Sequence, residues 1–266
     1  MSTSRSHTFA ICAYKESPFL EECIRSLKNQ TVPSKIIMST ATPNDFIVNM
    51  ADKYGIPLYI NNGEKGITQD WNFAYSQADT DFITIAHQDD IYGKHYTEKL
   101  FEMTKKVKKP LIFFTDYHEI RDGQVVKSNT LLRIKRFLLL PLIPRFAWGS
   151  RFIRRRVLSM GSSICCPSVA FAKNNVPNPV FMNHFRTNED WEAWERLSKL
   201  KGSFVYCRRP LVCHRIHEGS ETSEAIRETG RGAEDYEMFR KFWPGCIAKL
   251  LVKLYSKSEK SNSLQK

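Results

Sequence analysis

No run of apolar residues in this sequence approaches the length of about eighteen that a bilayer-spanning helix needs. The longest, Phe137 to Pro144, is far shorter and is flanked by Arg136 and Arg145. Before Thr8 there is no apolar stretch of the kind a secretory signal carries. The seven cysteines include no Cys-x-x-C pair, which argues against a zinc ribbon or a disulfide framework. Adjacent Cys165 and Cys166 then read as small core hydrophobes, and a reducing cytoplasm is the expected location. No internal repeat is present. The most telling absence is of acid. Between Gly123 and Asn188 there is no Asp or Glu, yet eleven Lys and Arg fall there, nearly the whole formal net charge of +12. The protein is therefore basic on one face, not throughout.

Within these limits the first half alternates strand and helix patterns. Apolar Thr8–Ala13, Lys35–Ser39, Pro57–Ile60, Asp81–Ala86 and Leu111–Thr115 read as strands. Between them lie helical segments. Ser17-Pro18 and Thr42-Pro43 offer cap-then-proline starts, and Gly55 a stop. This order predicts an α/β fold with a mostly parallel, Rossmann-like sheet flanked by helices. The second half is less regular. Arg121-Asp122-Gly123-Gln124 reads as a hairpin turn, 131–159 as basic helical pieces broken at Pro141 and Pro144, and 189–200 as a helix. Phe204–Tyr206 and Leu211–Cys213 read as two short strands, and helices over 221–242 and 247–255 close a basic helical C-terminal region. The expected organisation is a main domain over 1–220, with a basic amphipathic insertion at 127–160, and a helical extension over 221–266 whose end is frayed.

Chemistry concentrates where the strand Asp81–Ala86 runs into His87-Gln88-Asp89-Asp90. Acids at the carboxyl end of a strand in an open α/β sheet either cap the next segment or hold a hard cation bridging phosphates. Other polar constellations lie along the chain: Ala13-Tyr14-Lys15-Glu16 after the first strand, Asp70-Trp71-Asn72 after a loop ending at Gly66, Asn188-Glu189-Asp190-Trp191 at a helix start, and His214-Arg215-Ile216-His217 after a late strand. In this order they resemble the motifs of family 2 glycosyltransferases, enzymes of GT-A fold. The resemblance spans residues 7–220.

That resemblance implies an inverting, nucleotide-sugar-dependent hexosyltransferase. Donor binding would fall to Ala13, Tyr14, Glu16, Thr40, Asn72, Gln88, Asp89 and Asp90. Asp190 is the expected general base, with Glu189 orienting it or the acceptor. Asp89, with His217 and His87, would hold Mn²⁺ or Mg²⁺ against the leaving diphosphate. Two departures matter. His87 stands where the family has an acid, which favours Mn²⁺ or a role for His87 at the ribose. Ser39-Thr40-Ala41-Thr42 lacks the family's base-reading Asp, so UDP is only the default donor nucleotide.

Structural readings stand beside these. Asp190 can serve the helix dipole, and His214 and His217 can be satisfied histidines. Tyr14 and Trp71 can be core aromatics. Trp191 and Trp194 can stack on an acceptor sugar or form one buried stripe. Apolar residues interleaved with Arg over 133–156 suit an anionic bilayer surface. The expected setting is thus a peripheral protein on the inner face of the cell membrane, building cell-surface polysaccharide on a lipid-linked glycan acceptor. The alternatives are a catalytically degenerate transferase, or a non-enzymatic protein binding an anionic surface or nucleic acid. No nucleic-acid-binding fingerprint is present, and none is expected as a partner.

Overall fold

The computed structural model describes residues 5–217 and 232–260, with side chains through Tyr255. Strands β1 (His7–Cys12), β2 (Lys35–Thr40), β3 (Leu58–Ile60) and β4 (Phe82–His87) lie parallel in the order β3-β2-β1-β4. Phe9, Ala10 and Ile11 of β1 and Ile83 and Ile85 of β4 are buried, as expected of strands covered on both faces. Helices α1 (Leu20–Lys28), α2 (Asp45–Tyr54), α3 (Ile67–Gln77) and α4 (Tyr96–Thr104) supply the cover. Leu20, Cys23, Ile24 and Leu27 form the inward stripe of α1, at the spacing the sequence shows. Gly55 ends α2 at φ 61°, a left-handed cap that a Cβ would strain.

The rest of the sheet follows the two-residue β5 (Ile91–Tyr92) and α4. Strand β6 (Pro110–Arg121) turns through Asp122-Gly123, both at positive φ, into β7 (Gln124–Val126). Next come α5 (Thr130–Leu139), two 3₁₀ turns at 140–142 and 145–149, and α6 (Arg151–Leu158). Strand β8 (Val169–Ala172) inserts antiparallel between β4 and β6. Helix α7 (Glu189–Ser198) leads to β9 (Ser203–Ile216), which pairs parallel with β6 and carries β5 on its other edge. Helices α8 (Gly232–Arg240) and α9 (Gly245–Lys260) pack against α7 through Trp191, which meets Phe239 and Tyr255.

Several expectations need correction. Helix α1 begins at Leu20, not Pro18, because the Ser17 hydroxyl accepts from Phe19 N–H in a tight turn instead of capping. The cap of α2 is Asn44, accepting from Ile47 N–H at 2.9 Å, while Thr42 Oγ1 accepts from Lys15 N–H. The two short late strands are one. Arg208-Arg209-Pro210 bulges out of β9 where Pro210 has no N–H to give, and pairing with β6 resumes at Asp116. Strand β8 has no counterpart in the pattern reading. It is four residues long and wholly buried, and its register was invisible in the sequence. The boundary set at residue 220 and the helix start at Glu221 lie outside the described residues. Cys165 and Cys166 are buried free thiols, and among the described residues no helix is long and apolar enough to cross a membrane.

Candidate active site

The parallel register brings three strand ends level. His87 of β4 pairs with Cys12 of β1, and Cys12 pairs with Ser39 of β2. Beyond this edge the chain leaves β4 as a turn, Asp90 N–H donating to His87 O at 3.2 Å. The Gln88 amide locks the exit of β1 to it, accepting from Tyr14 N–H at 3.0 Å and donating to Tyr14 O at 2.9 Å. Gln88 is thus a backbone clamp, which leaves Tyr14 exposed at the rim beside the exposed Glu16.

The two adjacent acids have different jobs. Asp90 is fully buried. Its Oδ1 accepts from Arg215 N–H at 2.8 Å and from His214 Nδ1 at 3.0 Å. It is not a helix cap, since α4 starts at Tyr96 behind His95, and it ties β9 to the end of β4. Asp89 sits at the margin, with His217 Nε2 3.0 Å from its Oδ2. Arg215 braces this arrangement, donating from Nε to Asp89 O at 2.9 Å and from NH2 to Glu22 Oε2 at 2.5 Å, with its guanidinium over Phe19. Burial pushes the Asp89 carboxyl up, but the hydrogen bond from His217 and the charges of His87, His214 and His217 outweigh it, so the net shift is downward. Burial likewise lowers the His214 imidazole, yet the charge and hydrogen bond of Asp90 carry it above the usual histidine range.

His87 stacks on Trp71, rings 5.3 Å apart and 24° from parallel. Its Nε2 is buried without a hydrogen-bond partner. Burial lowers its pKa against the pull of Asp90, Asp89 and Asp190. Asp190, in the first turn of α7, therefore lies within electrostatic reach of the acid turn. It is partly exposed, accepts from Trp191 N–H at 2.5 Å, and lies 3.5 Å from Ser162 Oγ. Sequence reasoning passed over Ser162, Trp71 as the stacking partner of His87, and Lys135. The ammonium of Lys135 lies 5.5 Å over the Tyr117 ring, next to His214. Only its membership of the basic stretch marked Lys135 beforehand.

Other expected site residues are placed differently. Trp191 and Trp194 are fully buried, so neither offers a face to a sugar; they form the core stripe. Trp191 donates to Leu158 O at 3.0 Å, and Trp194 stacks on Phe171. The Asn72 amide is spent on the Phe181 backbone, donating to its O at 2.8 Å and accepting from its N–H at 3.1 Å. It pins the loop before α7 and is not open to a donor. Thr40 and Ala13 are buried, and Thr40 Oγ1 accepts from Thr42 N–H. Glu189 is buried under the start of α7.

With this geometry, comparison with known proteins is decisive on one point. The family model for glycosyl transferase family 2 matches residues 8–173. The chain belongs to that family. No curated protein matches the sequence. Among solved structures, S. aureus TarS 1–349 in complex with UDP-GlcNAc superposes with a TM-score of 0.62 at 14% identity, over 96% of this chain and 73% of that one. The same fragment in complex with UDP gives 0.58 at 13%, over 97% and 72%. TarS itself gives 0.57 at 13% identity, where this chain spans 98% of its own length and 44% of TarS. At such identities the likeness shows a shared GT-A fold.

For a family 2 glycosyltransferase the residues at this edge fit a divalent cation. Ligand atoms of His87, Asp89 and Asp90 lie within 4.8 Å of one another. The clustered set is thus the His87 imidazole with the Asp89 and Asp90 carboxylates, and His217 Nε2 lies against Asp89 alone. An imidazole among carboxylates is a donor set that Mn²⁺ accepts.

Proposed function

We propose that this family 2 glycosyltransferase transfers a sugar from a nucleoside diphosphate sugar to a hydroxyl of a lipid-linked glycan, with inversion, in cell-surface polysaccharide biosynthesis. What supports the reading is the His87, Asp89 and Asp90 cluster at one sheet edge, with His217 against Asp89 and the charge of Asp190 acting on His87. The acceptor oxygen attacks the anomeric carbon as the bond to the diphosphate oxygen breaks. Asp190 takes the hydroxyl proton, and the nucleoside diphosphate leaves. A base so placed contributes ~10²–10⁴-fold in rate. Asp89, His217 and His87 would hold Mn²⁺ or Mg²⁺, which supplies positive charge for the departing diphosphate. UDP is the working donor nucleotide, supported by the UDP-GlcNAc and UDP bound to the structurally similar TarS fragment. Tyr14 and Glu16, at the rim, are the donor-side contacts left open by the geometry. The lipid-linked acceptor is supported by the basic, apolar surface over residues 127–160, which suits an anionic membrane on its cytoplasmic side.

The test is nucleoside diphosphate release from a panel of nucleotide sugars with Mn²⁺ or Mg²⁺. Asp190→Asn should abolish transfer and preserve donor binding. Transfer surviving in Asp190→Asn sinks the base assignment, and no release from any donor favours a degenerate transferase.

A further inference from the structure

Six large exposed apolar side chains fall between Ile134 and Phe152. Helix α5 presents Ile134 and Phe137, the segment with the two 3₁₀ turns adds Leu140, Ile143 and Phe146, and α6 adds Phe152. Phe146 is 83% exposed, and Phe137 and Phe152 are each 70% exposed. Exposed Arg133, Arg145, Arg151 and Arg156 stand among them. Not every basic residue of the stretch serves this face. Arg136 pairs with Asp116, Arg155 with Glu195, and Arg154 is buried, donating to Leu200 O and Gly202 O.

The face does not stop at α6. The Arg156 guanidinium lies 5.5 Å over Phe152 and 5.0 Å over Trp243, and Trp243 Nε1 donates to Ser159 O at 2.7 Å. These contacts join α6 to the chain entering α9. On α9, Ala248 and Leu251 face inward, while Ile247, Leu250 and Leu254 are exposed beside exposed Lys249 and Lys253. Tyr255 closes against Gly161, where an added Cβ would sit 2.7 Å from its ring. One residue further on, Ser162 meets Asp190.

We propose that α9 is the second half of a bilayer-docking surface, so that α5, α6 and α9 together seat on anionic lipid with Asp190 beside their seam. The inference rests on the lipid-linked-acceptor reading. The occupant follows from charge. Exposed apolar area of this extent calls for a partner. A second copy meeting the same patch across a two-fold axis would set Arg and Lys against Arg and Lys. A bilayer supplies phosphate to the cations and acyl chains to the Phe and Leu side chains, and the long basic side chains can reach the headgroups while their stems stay apolar.

The test is co-sedimentation of the full chain, without nucleotide, with phosphatidylcholine vesicles that contain or lack phosphatidylglycerol. Binding should require phosphatidylglycerol. Lys249→Gln with Lys253→Gln should lower partition about thirtyfold, the weight of two surface charges. Leu250→Gln with Leu254→Gln should lower it at least about tenfold, matching Phe137→Gln with Phe146→Gln. These positions are exposed and none is among the residues assigned to donor binding or catalysis, so nucleoside diphosphate release from free donor should be unchanged. The α9 variants binding like wild type would overturn the inference. So would wild-type binding that ignores phosphatidylglycerol, or light scattering that shows a dimer split by the Leu250/Leu254 change. Failure of donor turnover with vesicle binding intact would instead strike the catalytic reading.

Discussion

Asp89 and Asp90 are neighbours in sequence, and their substitution should have opposite consequences. Asp90→Ala removes a fully buried carboxylate that accepts from Arg215 N–H at 2.8 Å and from His214 Nδ1 at 3.0 Å. His214 also loses the charge that raises its pKa. Breaking a buried charged pair from one side costs about 3–5 kcal/mol. For a chain of this size that is roughly 6–20 °C in melting temperature. Asp89→Ala removes a carboxylate at the margin, 17% exposed, that meets His217 Nε2. Its loss should cost about 0.5–1.5 kcal/mol. Mn²⁺ binding should sort the other way: abolished in Asp89→Ala, and retained in Asp90→Ala below its melting point. Thermal circular dichroism and a Mn²⁺ titration followed by electron paramagnetic resonance measure both. If Asp90→Ala melts with the wild type, or if it alone loses Mn²⁺, the division of labour between the two acids is wrong.

Trp194→Ala should destabilise the fold by about 3–5 kcal/mol in urea, as a buried aromatic. It should leave the acceptor KM of the folded enzyme unchanged, whereas a fall in acceptor affinity alone would restore the sugar-stacking role. His7 supplies a pH-dependent term. Burial lowers its imidazole to about 3, while Ser34 Oγ and Thr84 Oγ1 hold its two nitrogens. The folded pKa lies below the unfolded value near 6.5, so the unfolded chain binds the proton first. Stability is therefore full at neutral pH, falls as pH drops through 6.5, and stops falling near 3. At pH 5 the loss is about 2 kcal/mol. His7→Gln should remove that share of the acid sensitivity in paired urea titrations at pH 5 and pH 7, and an unchanged pH slope would refute it.

Elements carried by local pattern were legible in the sequence. The apolar run of β1, the Leu20/Cys23/Ile24/Leu27 stripe, the Gly55 stop and the Asp122-Gly123 turn all appear where pattern and turn chemistry put them. The failures share a cause: side chains recruited by distant partners. Asn72 looked like a donor contact because it follows a loop, but its amide is satisfied by Phe181, 109 residues away. Asp90 could be read as a helix cap, and its partner is 125 residues away. Trp191 and Trp194 lie three apart on α7, a spacing equally compatible with a buried stripe and a stacking platform. What decides is the arrival of Phe171, Phe239 and Tyr255, each from another element.

These long-range ties also shape the chemistry of the site. His217 reaches Asp89 only because Asp90 and Arg215 fix the end of β9 against the end of β4. The proposed cation site would therefore be absent from the unfolded chain, and an ion bound there should stabilise the fold by mass action. The same wiring sets the local charge. Asp90 spends its charge on His214 and Arg215 N–H, so in the proposed site Asp89 would be the carboxylate of this turn more open to a cation. An Asp-x-Asp turn would present one more negative charge to the cation and to the donor diphosphate alike. Replacing that acid by an imidazole weakens the pull on a hard ion such as Mg²⁺ and eases repulsion of the diphosphate. It also adds a nitrogen ligand of the kind Mn²⁺ accepts. The Trp71 ring stacks on that imidazole, so Trp71→Ala should change the preference for Mn²⁺ over Mg²⁺ in the same direction as a change at His87 if the proposed cation site is right.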